Sequence, residues 1–206
     1  MLIQLLTDSW LFFKNHIVAI SIIILPIVVP IDIFTALYEY SFAGEEYVFS
    51  DHVIPVIIGF IVHPIYSVAV VFYISSIISG EYLDTKSLWG LGLKFWLPYM
   101  ILTLLVALAF MAGLILLVIP GIILAVRYSF AEFDLLFNQS NPVDAMTNSW
   151  NATREYFWVL FGGILIITIA LYLPYYLIFS LFDEPSLFSF VLEVVSRIVY
   201  SVLVVL

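Results

Sequence analysis

The chain has 206 residues, 65% of them hydrophobic and 10% charged, with a mean hydropathy of +1.19 and a formal charge of −9. Soluble domains run near half apolar and a quarter charged, so this composition excludes an ordinary water-soluble fold and identifies a membrane protein. The acidic balance argues against a nucleic-acid partner, and the absence of cysteine excludes a disulfide frame, a thiolate metal site and a thiol nucleophile.

Crossing roughly 30 Å of hydrocarbon takes about 20 helical residues. Six spans are predicted, at 17–38, 53–79, 98–119, 121–137, 157–180 and 187–206. The first lies behind LIQLLTDSWLFFKNH, and its core is too long and its start too weakly basic for a cleaved leader. It holds Pro26, Pro30 and Asp32, while the second holds His63 beside Pro64. The fourth, after the Pro120-Gly121 corner, is the shortest and carries Arg127, Glu132 and Asp134. A full span is expected there rather than a re-entrant hairpin. The sixth carries Glu193 and Arg197.

Orientation follows from the basic residues of short loops. Lys14, Lys86, Lys94 and Arg154 all fall on one side of this six-span scheme, and the alternate loops contain no Lys or Arg. Both termini are therefore expected in the cytoplasm. Trp10, Trp89, Trp96, Trp150 and Trp158 lie in or beside the same cytoplasmic segments. With Lys14, Lys94 and Arg154 they are predicted to anchor the chain at the membrane interface.

Those segments also repeat. TDSWLFFKNHIVAI from Thr7 and TNSWNATREYFWVL from Thr147 share T-x-S-W with a basic residue four positions after the Trp, and TKSLWGLGLKFWLPYM from Thr85 shows the same elements at shifted spacing. The predicted architecture is an all-α integral membrane domain of three hairpins, each preceded by a short interfacial amphipathic helix, over residues 1–79, 80–137 and 141–206. In the third unit Asn141 is placed to cap a helix, Pro142 suits its first turn and Asp144 meets its free N–H groups. Gly59, Gly113 and Gly162-Gly163 are expected to let helices approach closely.

Charges within spans are costly unless paired or wet. At about 1.5 Å per residue, Arg127 and Glu193 both lie roughly 9 Å below the outer boundary, and Glu132 and Arg197 roughly 15 Å below it. Glu193 and Arg197 also stand at i and i+4. A network of Arg127, Glu132, Glu193 and Arg197 is predicted between the fourth and sixth spans, with Arg127 as a brace. The rival reading makes these groups line a hydrated cavity, with Asp32, Asp134 and His63 as further polar lining. Scattered histidines and the lack of H-E-x-x-H, G-x-S-x-G or a phosphate-binding loop give no catalytic residues, no metal site and no cofactor.

The run LLVIPGIILAVRYSFA, with the later S-W-x-x-T-R-x-x-F-W pattern of Ser149, Trp150, Thr153, Arg154, Phe157 and Trp158, resembles the YciC family of uncharacterised bacterial inner-membrane proteins. It is also similar to the membrane domain that precedes some glycerophosphodiester phosphodiesterases. The resemblance implies six helices in a bacterial inner membrane and no established activity. The first expectation is a non-enzymatic protein with a structural or envelope-maintenance role, acting through membrane lipids or other inner-membrane proteins. The second is a transporter or lipid-handling protein that uses the charged network, and its marks would be a polar cavity and broken helices.

Overall fold

The structure, a computed structural model, describes residues 2–41, 49–179 and 187–203. The acidic stretch around Glu45 and Glu46 and the segment with Asp183 and Glu184 lie outside the described residues, as does the side chain of Glu193. Among the described residues all regular structure is α-helical. The helices are α1 (Leu2–Ser41), α2 (Phe49–Ser79), α3 (Thr85–Lys94), α4 (Trp96–Leu116), α5 (Val118–Arg127), α6 (Ala131–Phe137), α7 (Pro142–Ala152), α8 (Phe157–Phe179) and α9 (Leu187–Leu203).

Among the described residues four segments are long and apolar enough to cross a membrane: Leu2–Glu39, Val53–Ser79, Trp96–Leu116 and Phe157–Pro174. Their outer faces are as apolar as their inner ones. Ile115 through Ile119, at the tip where α4 turns into α5, remain 64–81% exposed although every side chain is aliphatic. Lipid, not water, suits such a surface.

Two predicted features differ in the structure. The first TDSW segment is not a separate helix: it runs without interruption into the first span as the 40-residue α1, about 60 Å long. No glycine or proline separates Trp10 from Ile17, and the lone Asn15 does not interrupt the helix. By contrast α3 follows Gly80, whose φ of +70° turns the chain, and an extended Asp84. The Ser87 hydroxyl, 2.5 Å from Asp84 Oδ1, is the main reason that exposed carboxyl is held below its ordinary range. α7 is a separate helix as expected, with the Asn141 side chain accepting from the Asp144 N–H at 2.9 Å. The second difference lies in the predicted fourth span, residues 121–137, which is divided between α5 and α6.

The long helix α2 stands at the centre. One face, through Ala69 and Val70, packs with Ile20, Ile24 and Val28 of α1, Leu88 of α3 and Val202 of α9. Its other face, through Val68 and Val71, packs with Tyr99 and Leu102 of α4, Leu135 and Leu136 of α6 and Ala145 of α7. α4 and α5 lie against each other so closely that a Cβ at Gly113 would come within 2.8 Å of Gly121 Cα. Gly59 has open space around it and serves no such approach.

Candidate functional site: a broken helix beside an acid-lined cavity

Between α5 and α6 the helix is interrupted at Tyr128–Phe130. The stretch RYSF holds neither glycine nor proline, so the break is maintained from outside. Ser149 of α7, 1% exposed, does this with one hydroxyl, accepting from the Phe130 N–H at 3.1 Å and donating to the Arg127 carbonyl at 2.7 Å. Thr153, fully buried one turn later, donates to the Ser149 carbonyl at 2.8 Å and sits 3.3 Å from the same Arg127 oxygen. Ser129 closes the turn by donating to the Val126 carbonyl at 2.8 Å. An interrupted helix frees backbone groups that apolar surroundings cannot satisfy, and these hydroxyls satisfy them.

Arg127 ends α5. Its guanidinium lies over the Trp150 ring, 5.1 Å from the centroid, and over the Phe157 ring at 5.4 Å, and Nη1 donates to the Trp150 carbonyl at 3.4 Å. It therefore ties α5 to α7 and α8. Its Nε is buried with no partner, and no ion pair joins it to Glu132.

Of the predicted four-member network, Arg127 and Glu132 do not pair with each other, and the Glu193 side chain lies outside the described residues. Glu132 accepts from the Tyr99 hydroxyl of α4 at 2.6 Å. Arg197 pairs with Glu39 of α1. The reason is adjacency: α9 packs chiefly on α1, and the break reorients α6 relative to α5. Matching depths along the chain says nothing about which helices are neighbours.

Among the described residues two cavities with polar groups in their walls flank α2. The larger, about 450 Å³, lies between α2, α4 and the α5–α6 break, and its polar wall is His63, Tyr99, Thr103, Ser129 and Glu132. His63 shares a hydrogen bond with Ser67 at 3.1 Å between Nε2 and Oγ. The smaller, about 230 Å³, lies between α1, α2 and α9, where Asp32 faces Tyr66, Arg197 and Tyr200. Asp32 Oδ2 is buried without a hydrogen-bond partner. Thus His63 and Asp32 line different cavities. Asp134 lines neither: it accepts from Asn138 and Asn148 at 2.7 and 2.9 Å, beside a surface groove between α6 and α7.

The expected interfacial anchors divide into two kinds. Trp10 and Trp158 are 52% and 78% exposed, and Lys14 and Arg154 are exposed. Lys94 lies 5.3 Å from the Phe95 ring centroid. Trp89 and Trp96 instead join helices, their indole N–H groups donating to the carbonyls of Ile23 at 3.0 Å and Ile61 at 2.6 Å. Each acceptor stands three residues before a helix proline, Pro26 or Pro64. A proline ring crowds the preceding turn's carbonyls out of the helix ladder, leaving them open to an outside donor. Trp150 carries Arg127.

Tyr99, Ser149, Thr153 and Glu39 were not singled out from the sequence as site residues. Ser149 and Thr153 had a signal, since both belong to the S-W-x-x-T-R pattern. No curated protein and no solved structure matches the chain. The sequence model of the uncharacterised protein family UPF0259 matches residues 32–206, which contain the larger cavity and the helix break, and the chain belongs to that family.

Proposed function

We propose that the chain is a non-enzymatic, six-span protein of the bacterial inner membrane, with both termini cytoplasmic, that handles a small membrane-borne ligand in the cavity between α2, α4 and the α5–α6 break. The six spans are α1, α2, α4, the broken α5–α6 pair, α8 and α9, taken as three hairpins. The observation that carries the functional reading is Glu132, a carboxyl on the wall of a largely apolar cavity of about 450 Å³ beside an interrupted helix. Pockets of this size, apolar with a few convergent polar groups, are the usual form of small-ligand sites. An ionisable group retained inside a membrane bundle marks a pathway or a site more often than a packing element. The resemblance to the YciC family supports the inner-membrane placement.

The absence of cysteine makes the test direct. Thr103→Cys, on the cavity wall, is compared with Leu108→Cys, on a side chain 58% exposed on the outer face of α4. Maleimides react with thiolates, which form only where water reaches. In intact membranes Thr103→Cys is expected to label with N-ethylmaleimide at least tenfold faster than Leu108→Cys. Equally slow labelling of both would return the protein to the purely structural reading, with lipids or other membrane proteins as its partners.

A further inference from the structure

The lining of the larger cavity limits the charge and shape of what it holds. Among the described residues Glu132 is its one acidic side chain, and neither Lys nor Arg lines it. Arg127, across the break from Glu132, does not line it and is stacked on Trp150 and Phe157. The remaining polar groups are neutral hydroxyls and an imidazole, and Tyr99, Tyr128 and Phe110 supply aromatic surface beside the carboxyl. Leu102, Val106 and Ala125 complete an apolar floor. An anion entering would meet Glu132 with no compensating cation, whereas a positive group meets a carboxylate and ring faces together, two features that favour ammonium recognition.

Resting on the ligand-handling reading above, we infer that the cavity binds a small amphiphilic organic cation, its ammonium group at Glu132 and its apolar body against Leu102, Val106 and Phe110. Tyr99 acts as a positioning residue. By donating to Glu132 Oε2 at 2.6 Å it orients the carboxylate and occupies one oxygen. The same hydroxyl serves as a placeholder donor that keeps the carboxyl satisfied when the site is empty. His63, whose ring lies 6.2 Å from that of Tyr99, faces the same space from α2 and is held by Ser67.

Benzyltrimethylammonium and benzenesulfonate, aromatic ions of similar size and opposite charge, separate this assignment from the cavity reading itself. In Thr103→Cys, benzyltrimethylammonium is expected to slow maleimide labelling at least fivefold in a saturable way, and benzenesulfonate is expected to have no effect. Adding Glu132→Gln, which keeps an acceptor for Tyr99 and removes the charge, is expected to raise the half-protecting concentration at least tenfold. Adding Glu132→Asp is expected to retain most of the protection. Equilibrium dialysis of the unmutated chain in nanodiscs supplies a readout free of folding defects, and saturable uptake of benzyltrimethylammonium over benzenesulfonate is expected. Equal protection by both ions, or protection indifferent to Glu132→Gln, overturns the cation assignment and leaves the cavity reading standing. A Thr103→Cys chain that does not label overturns both.

Discussion

Arg127 is a cation without an acidic partner among the described residues, held by two aromatic faces and a carbonyl. Such stacking contributes about 0.5–2 kcal/mol and depends on the flat, weakly hydrated guanidinium. Lysine keeps the charge and loses the plane, so Arg127→Lys is expected to destabilise the protein by about 1 kcal/mol. Ser149 bears more. Its hydroxyl is at once acceptor for Phe130 and donor to Arg127, and Ser149→Ala leaves the Phe130 N–H unsatisfied in an apolar setting and the Arg127 carbonyl with only the Thr153 hydroxyl at 3.3 Å. A buried group so orphaned costs about 1–3 kcal/mol. Denaturation of both variants in detergent should therefore rank Ser149→Ala below Arg127→Lys. A neutral Ser149→Ala would show that the break between α5 and α6 holds itself open.

At the level of elements, legibility followed local chemistry. α7 was readable because Asn141, Pro142 and Asp144 are consecutive signals acting within one turn, and the structure joins them as expected. The break at Tyr128–Phe130 was not readable, because the group that maintains it arrives from α7, some twenty residues away. The fusion of the first TDSW segment into α1 shows the converse: similar residues make a separate helix only where Gly80 and Asp84, or Asn141, end what precedes. The tryptophans were read as anchors from their interfacial placement, and two prove to be joints, since proline-opened carbonyls on α1 and α2 lie within their reach. Trp96→Phe keeps the ring and removes the donor, and is expected to lower stability by about 1 kcal/mol. Trp158→Phe, on a side chain 78% exposed, is expected to leave the unfolding midpoint unchanged. Equal effects would mean that ring volume, not the indole N–H, matters at both positions.

Across the described residues, charged groups find partners that depth along the chain alone did not imply. Among the described residues Arg127 sits on its aromatic seat, Glu132 accepts from Tyr99, and Arg197 pairs with Glu39. The last joins the carboxyl-terminal helix α9 to the amino-terminal helix α1, side chains 27% and 24% exposed, and borders the cavity where Asp32 Oδ2 lacks a partner. Hydrophobic matching cannot select this pairing, because helix surfaces and lipid tails are equally apolar; directional polar contacts must contribute to the choice. Arg197→Glu places like charges together and adds a second acid beside Asp32, so it should loosen α9 from α1 and lower the unfolding midpoint in detergent. Combining it with Glu39→Arg restores an opposite pair in reversed order and should recover at least half of the loss. Recovery to that extent identifies the ion pair as the lock between the two ends of the chain. If the double variant is as unstable as the single one, Arg197 acts through Asp32 and the smaller cavity instead, and Arg197→Gln with Asp32→Asn becomes the pair whose effects should fail to add.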